Sequence, residues 1–137
     1  MDCIFCKIVA GEIPCSKIYE DGLFIGFLDI RPVHKGHALI VPKKHFVNIF
    51  DTPAEESQAI YAVTAKVAKA VKEATGCDAV NVVQNNGAEA GQEVFHSHLH
   101  VIPRFKDDGL KFATRHAEYS GFDEMGALAE KIRGLIA

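Results

Sequence analysis

HSHLHVI, residues 96–102, places three histidines at alternate positions of the chain. Successive side chains of a β-strand point to opposite faces of a sheet, so alternate ones share a face, and a strand here predicts that the three imidazoles lie on one face. Imidazole titrates nearest to neutral pH, which suits a cluster of imidazoles to nucleophilic attack, proton transfer or metal binding. The spacing alone leaves open a nucleophilic row, a metal-binding row and a structural row.

Five short apolar runs predict the strands of a sheet around these histidines. Asp21-Gly22 separates the first two runs and indicates a hairpin. Pro42 and Pro103 close the third and the fifth, and residues 85–91 form a loop rich in Asn and Gly before the histidines. The fourth run reads as a buried strand. The predicted strands are residues 18–20, 23–28, 38–41, 79–84 and 98–102.

One long helix is predicted between the third and the fourth strand. Thr52 is its predicted N-cap, Pro53 fits the first helical position, and Glu55 completes a capping box. Gly76 ends the helix. Apolar residues recur between these ends at helical spacing, at Ile60, Val63, Val67, Val71 and Ala74.

Short helices are predicted at both ends of the chain. Residues 4–10 are apolar and stop at Gly11, and residues 125–135 carry an amphipathic pattern for which Asp123 is the predicted cap. Antiparallel strands with one long helix and short terminal helices make an α+β fold. With 137 residues the chain suits one domain.

The overall charge excludes several classes of partner. A formal net charge of −3 gives no basic field for a nucleic-acid backbone, so we expect no nucleic-acid partner. No apolar run is long enough to cross a bilayer, so we expect no membrane partner. The first seven residues lack the pattern of a secretory signal, so we expect a cytoplasmic protein.

Two of the four cysteines form a Cys-x-x-Cys motif, Cys3 and Cys6. In a reducing compartment this spacing favours metal or redox chemistry over a disulfide. An unmetallated pair also remains open, but no thioredoxin-like strand and helix surround the motif. We interpret Cys15 and Cys77 as small structural residues.

Several motifs in the same order resemble the histidine triad (HIT) family. They are residues 96–102 with Gly91-Gln92 before them, LDI at residues 28–30, and GHALIVPKKH at residues 36–45. The resemblance runs from the Cys-x-x-Cys to about residue 104. Within the family, the sequence is similar to the Hint-type branch in its bacterial or archaeal form. It implies a HIT-like antiparallel sheet, a single HIT domain over residues 1–137 with a tail from about residue 105, and a homodimer.

The resemblance also implies catalysis without a catalytic metal. His98 would attack the α-phosphorus of a purine nucleotide and form a covalent nucleotidyl-histidine that water resolves. His100 would hold the phosphate oxygens and help to protonate the leaving group, and His37 would border the pocket. Imidazole is a fair nucleophile at neutral pH, and phosphoryl transfer mainly demands positioning and charge stabilisation.

By the same resemblance, eight further residues would bind the nucleotide. Asp29 would hold the ribose, an apolar slot would hold the base, Asn85 would lie near the phosphate, and the backbone of residues 91–93 would donate N–H groups. Each residue has an ordinary structural alternative, as a core or turn residue. The set is Ile13, Phe27, Asp29, Ile30, Asn85, Gly91, Gln92 and Glu93.

The sequence departs from the family pattern at two positions. Ser97 stands where the family has a hydrophobic residue, and we expect a packing change only. Glu93 stands where eukaryotic Hint-type proteins carry a serine that contacts phosphate. An ionised carboxylate close to phosphate would repel it, so we expect the Glu93 side chain to turn outward.

The resemblance further implies a structural Zn²⁺ bound by Cys3, Cys6, His45 and His96. The expected function is a nucleotidyl hydrolase or transferase that releases a nucleoside 5′-monophosphate, such as AMP, from a phosphoramidate. A dinucleoside polyphosphate hydrolase, a nucleotide-binding regulatory module with weak catalysis and a metallohydrolase are the alternatives.

Overall fold

A computed structural model of the chain describes residues 2–111 and 115–136. Five antiparallel strands form one open sheet in the order β1-β2-β3-β5-β4. The long helix α2 lies between β3 and β4, α1 precedes the sheet and α3 follows it. The bounds are α1 Ile4–Val9, β1 Lys17–Glu20, β2 Phe24–Leu28, β3 Ala38–Pro42, α2 Ala54–Thr75, β4 Ala79–Val83, β5 Leu99–Arg104 and α3 Phe122–Leu135.

Each face of the sheet has its own apolar cluster. Helix α2 covers one face, where Ile60, Val63 and Val67 pack against Leu99 and Val101 of β5. Each such side chain contributes about 2 kcal/mol through burial of apolar surface. Helix α1 covers the other face through a cluster that contains Phe5, Ile25, Phe27, Leu39 and Val41. Side chains of β5 therefore alternate between the α2 side and the α1 side.

Strand β4 lies at the edge of the sheet, and the prediction that it is buried is wrong. Its side chains are partly buried or exposed, because β5 is its sole neighbour in the sheet and α2 covers one face. Strand β5 begins at Leu99 and includes Pro103, so His96 and His98 precede it. Strand β3 likewise includes Pro42.

The helix ends correct two predicted caps. Helix α2 begins at Ala54 after Pro53, and the Thr52 hydroxyl donates instead to the Asn48 carbonyl at 2.6 Å. Asp123 lies inside the first turn of α3, whose N-cap is Gly121. Gly76 ends α2 in a left-handed conformation, φ +70°, as the sequence predicts.

Helix α3 has no buried residue. Its apolar side chains are exposed although they recur at helical spacing, because no other described element packs closely on them. In the part of the chain that the structure describes, no helix combines the length and apolar character of a membrane span.

Candidate active site and cysteine–histidine cluster

A cavity of about 580 Å³ opens on the α1 side of the sheet. Helix α1, the segment after it, the loop after β2 and the loop before the histidines form its walls. His37, His98 and His100 lie in its wall together with Asp29. The cavity is large enough for a small ligand, and titratable groups converge in its wall.

His98 is buried, and a backbone contact fixes its proton. Its Nδ1 lies 2.6 Å from the carbonyl oxygen of His96. Because a carbonyl only accepts hydrogen bonds, Nδ1 carries the proton and Nε2 of the neutral ring keeps its lone pair. The ring of Phe5 stands edge-on against the His98 ring, with centroids 5.1 Å apart. His98 is thus a fixed imidazole with a nucleophilic nitrogen in a cavity wall.

Val33, His37 and His100 form a chain of two hydrogen bonds that run in the same direction. The backbone N–H of Val33 donates to His37 Nδ1 at 3.1 Å, so the proton of the neutral ring lies on Nε2. That Nε2 is 2.8 Å from Nδ1 of His100 and donates to it. His100 therefore carries its own proton on Nε2, where the ring acts as a donor to an anionic ligand.

Burial keeps these three rings neutral at pH 7. Burial lowers the pKa of His98 and of His37, although the charge of Asp29 partly opposes the effect. Burial and the neighbouring rings of His98 and His37 lower the pKa of His100 from its usual 6.5 to about 4. A neutral imidazole is the form that attacks phosphorus, so the protonation states suit nucleophilic chemistry.

Asp29 follows β2 at the rim of the same cavity. Its Oδ1 accepts the backbone N–H of Arg31 at 2.8 Å, and its Oδ2 lies 3.7 Å from His37 Nε2. The carboxylate is therefore a turn residue and also a half-buried acceptor beside the histidines.

The other predicted nucleotide-binding residues lie around this cavity, with one exception. The side chain of Gln92 is buried in its own loop, where it donates to the carbonyls of Val47 and Val94. Gln92 is absent from the cavity wall. The lining residues from the predicted set are Ile13, Phe27, Asp29, Ile30, Asn85, Gly91 and Glu93.

The expected N–H donors of residues 91–93 require a correction. The N–H of Gly91 donates to the Ala88 carbonyl at 3.0 Å, and the N–H of Gln92 donates to the Gly87 carbonyl at 3.1 Å. Both N–H groups already donate within the loop, because residues 88–90 form a tight 3₁₀ turn, and neither points to a phosphate acceptor. Glu93 is exposed at the cavity wall, so the expected outward position of its side chain is compatible with the structure.

The four predicted metal ligands come together beside α1. Helix α1 places Cys3 and Cys6 one turn apart, with Cys3 as its N-cap. Cys3 Sγ lies 3.4 Å from Nδ1 of His96. Cys6 Sγ lies 3.3 Å from Nδ1 of His45. The two Nδ1 atoms are 3.1 Å apart. We call this set the cysteine–histidine cluster.

These spacings fit a tetrahedral metal ion. Ligand bonds of about 2.3 Å to sulfur and about 2.05 Å to nitrogen give tetrahedral edges near 3.5 Å for S···N and about 3.3 Å for N···N. His96 Nε2 lies 2.8 Å from the Pro42 carbonyl and donates to it, so His96 Nδ1 keeps a lone pair facing the sulfurs. The donor set of two thiols and two imidazoles matches Zn²⁺.

A second group with metal-ligand chemistry fits a metal poorly. Asp29, His37 and His100 also bring ligand atoms within 4.8 Å of one another. However, the Val33 N–H occupies Nδ1 of His37, so the proton of the neutral ring stays on the nitrogen that would face the metal. We call this set the histidine relay.

Two features of the site were not predicted from the sequence. Phe5 contacts both His96 and His98 edge-on, and its position between Cys3 and Cys6 was the available signal. His34 is partly buried and pairs with Asp108 at 3.2 Å, which no local sequence pattern indicates. His116, by contrast, is exposed.

The sheet, the helix behind it and the alternating histidines at a cavity define an α+β protein of the histidine-triad class. The family model described as the HIT domain matches residues 10–107. The chain belongs to the HIT family. The prediction of a bacterial or archaeal form stays a prediction.

Two relatives carry names that describe an activity. The chain is 42% identical over 137 residues to adenosine 5′-monophosphoramidase hnt1 of Schizosaccharomyces pombe, covering 99% of each protein. It is 45% identical over 109 residues to adenylylsulfatase HINT3 of Arabidopsis thaliana, covering 80% of this chain and 55% of that protein. The chain thus spans about half the length of the Arabidopsis relative.

Two solved structures share the fold. SMU.412c from Streptococcus mutans superposes with a TM-score of 0.93 at 43% identity, covering 99% of this chain and 86% of that chain. A Zn-bound histidine triad family protein from Mycobacterium smegmatis superposes with a TM-score of 0.78 at 39% identity, covering 99% of both chains. The predicted antiparallel sheet with one long helix is confirmed.

Proposed function

We propose that the protein is a nucleotidyl hydrolase or transferase that releases a purine nucleoside 5′-monophosphate, such as AMP, through a covalent bond to His98. The observation that carries the proposal is the fixed tautomer of His98. Its proton lies on Nδ1 against the His96 carbonyl, which leaves a nucleophilic Nε2 in the wall of the cavity. The names of two relatives, a phosphoramidase and an adenylylsulfatase, support the same reaction class.

The reaction proceeds in two displacements at the α-phosphorus. His98 Nε2 attacks phosphorus, a P–N bond forms, and the bond from phosphorus to the leaving group breaks. An amine leaving group takes a proton from solvent as it departs, in place of the proton transfer expected from His100, because the neutral His100 ring has a single proton, which it uses to bind the phosphoryl oxygens. Water then attacks phosphorus, the bond to His98 breaks, and the proton consumed in the first step returns to solvent.

His100 stabilises the charge on the phosphoryl oxygens in both steps. The relay from Val33 through His37 leaves a proton on His100 Nε2, which donates to those oxygens. Since the ring is already oriented before the substrate binds, little reorganisation is needed during the reaction.

The remaining cavity residues hold the nucleoside. Asp29 accepts hydrogen bonds from the ribose hydroxyls through Oδ2, because its Oδ1 is engaged by the Arg31 N–H. Ile13, Phe27 and Ile30 form the apolar slot for the base, and Asn85 lies on the phosphate side with Gly91. Among residues 91–93, the Glu93 N–H is the one amide without a carbonyl acceptor in the described chain.

Replacement of the nucleophile tests the proposal. We expect His98→Ala to release AMP from adenosine 5′-phosphoramidate at least about a thousandfold more slowly than wild type. The Kd for AMP should change by less than about threefold, because the ribose and base contacts remain. His116→Ala removes an exposed histidine and serves as the control. Wild-type turnover in His98→Ala would reject the mechanism.

We also propose that Cys3, Cys6, His45 and His96 bind one structural Zn²⁺. The spacing of the four ligand atoms and the Pro42 contact of His96 support this assignment. The ion would join α1 to the segment that leads into β5 and would contribute to folding stability. Elemental analysis should find about one zinc per chain in purified protein, and far less than one would contradict the assignment.

We propose a homodimer in the cytoplasm, with residues 1–137 as one HIT domain. The free edge of β4 and the exposed apolar residues of α3, with Leu128 and Ile132 44% and 51% exposed, support association with a second copy. All four cysteines are free, which agrees with a reducing compartment. Sedimentation equilibrium should give twice the 15.0 kDa mass of the chain, and a monomer at micromolar concentration would contradict the dimer.

A further inference from the structure

The segment after β5 folds back and buries a carboxylate. The side chain of Asp108 is only 6% exposed. It accepts hydrogen bonds from Nε and Nη2 of Arg104, both at 2.7 Å. It also accepts hydrogen bonds from the backbone N–H groups of Phe105 and Leu110. Arg104 holds the pKa of this carboxyl well below its usual range, so Asp108 is ionised at neutral pH.

Asp108 reaches the turn that carries His37. Its Oδ2 lies 3.2 Å from Nε2 of His34, and the His34 ring packs edge-on against Phe105 with centroids 5.3 Å apart. The carbonyl of His34 accepts the N–H of His37 at 3.0 Å. The side chain of His34 is thus held from the tail, while its backbone holds His37.

The same turn is fixed on its other side by close packing. Gly36 has φ +100°, and a Cβ at this position would lie 2.5 Å from Cγ2 of Thr75 in α2. The turn therefore lies between the end of α2 and the folded tail, and it contacts both. Val33, which begins this turn, supplies the N–H that sets the His37 tautomer.

We propose that Asp108 and His34 are positioning residues for His37. Through the turn of residues 33–37 they keep the Val33 N–H on His37 Nδ1, and so keep the His37 Nε2 proton directed at His100. Neither residue lies in the cavity wall, so neither touches the nucleotide. The inference rests on the proposed function where it predicts turnover, but its prediction for the His37 ring is independent of that function.

A matched pair of carboxylate variants tests the proposal. Asp108→Ala removes the link to His34, whereas Asp78→Ala removes a carboxylate that holds the same tail through the Lys106 N–H at 3.1 Å without contacting His34. With adenosine 5′-phosphoramidate, we expect Asp108→Ala to lower kcat about tenfold and to leave the Kd for AMP within twofold. Asp78→Ala should change kcat by less than twofold. Equal losses of kcat in the two variants would overturn the proposal.

His34 offers a second pair, which applies even if Asp108→Ala does not fold. His34→Gln places an amide donor near the position of Nε2, and His34→Leu does not. We expect His34→Leu to lose about as much kcat as Asp108→Ala and His34→Gln to recover most of it. Equal kcat in the two His34 variants would contradict the proposal.

The nitrogen chemical shifts of the histidine rings separate positioning from general stability. In wild type, ¹⁵N NMR should show His37 as the Nε2–H tautomer, and His34→Leu should shift it toward a mixture while His34→Gln retains it. An unchanged His37 tautomer in His34→Leu would overturn the proposal. If wild type does not turn over the phosphoramidate, the proposed function fails, and the ring spectra alone decide the positioning role.

Discussion

The cysteine–histidine cluster and the histidine relay both contain two imidazoles, yet their backbone contacts direct them to different chemistry. His96 donates from Nε2 to the Pro42 carbonyl, which leaves Nδ1 as a lone pair among the sulfurs. His37 accepts the Val33 N–H on Nδ1, which leaves a proton on Nε2. One imidazole therefore offers a lone pair, as a metal ligand must, and the other offers a proton. The comparison teaches that the backbone partner, more than the residue types, assigns the role of a histidine.

Removal of the proposed metal ligands should change folding stability most, and it should affect the cysteine–histidine cluster without changing the histidine relay. We expect Cys3→Ser with Cys6→Ser to lower the free energy of unfolding by on the order of 5 kcal/mol, because metal binding contributes directly to folding. Denaturant unfolding with and without a chelator measures this loss. Chelation should weaken wild type and leave the double variant unchanged, and equal sensitivity of both proteins would contradict the zinc assignment.

The number of metal ions bound per chain tests whether the cysteine–histidine cluster binds metal while the histidine relay does not. Metal-free protein titrated with Co²⁺ should bind one ion per chain with the absorption of a tetrahedral sulfur and nitrogen site. A second ion of similar affinity, retained in Cys3→Ser with Cys6→Ser, would show that the histidine relay also binds metal. It would then refute the tautomer that we assign to His37.

The next largest effect should be a loss of folding stability at low pH, which arises from protonation of His100 in the histidine relay. The pKa of His100 is about 4 in the folded chain and 6.5 for an ordinary histidine. Below pH 6.5 the unfolded chain therefore binds more protons, and stability falls as pH falls. The loss due to His100 amounts to about 3 kcal/mol by pH 4. The free energy of unfolding, measured from pH 7 to pH 4, should fall less steeply in His100→Gln, and identical slopes would contradict this account.

Phe5 lies between His96 of the cysteine–histidine cluster and the proposed nucleophile His98, and its replacement should have a smaller effect on both stability and turnover. Its ring contacts His96, His98 and Phe27 with centroids 5.1–5.9 Å apart. We expect Phe5→Leu to cost about 1–2 kcal/mol of folding stability, since the edge-on ring contacts are lost while most apolar burial remains. It should also lower phosphoramidate turnover. A loss of stability with wild-type kcat would show that Phe5 supports the fold without orienting His98.

Glu93 should give the smallest effect, because its side chain is exposed at the cavity wall. We expect Glu93→Ser to change kcat by less than about threefold, since solvent screens an exposed charge. Steady-state kinetics with adenosine 5′-phosphoramidate measures the change. Greatly faster turnover would show that the carboxylate suppresses catalysis, and would favour a regulatory nucleotide-binding role for the wild-type chain.

Much of the fold and part of the site could be predicted from sequence. Apolar spacing predicted the long helix and the strands, because burial on one face imposes the period of each element. The caps Thr52 and Asp123 were wrong, since a hydroxyl or carboxylate near a helix start can also bond elsewhere or lie inside the first turn. The exposed edge position of β4 was missed because an apolar run does not reveal the strand order.

Local sequence supplies the reactive side chains of this protein and predicts which of them share a face. The alternating histidines of residues 96–102 and the one-turn spacing of Cys3 and Cys6 can be read directly from the sequence, although β5 itself begins at Leu99. Where the rings of His96 and His100 carry their protons depends instead on contacts that the folded chain creates. The contacts of His96 with Pro42 and of His37 with His100 join residues 54 and 63 positions apart, and no local pattern encodes such a distance. Those contacts exist because the strands pair, and the pairing separates the proposed metal ligands from the proposed nucleophile and donor.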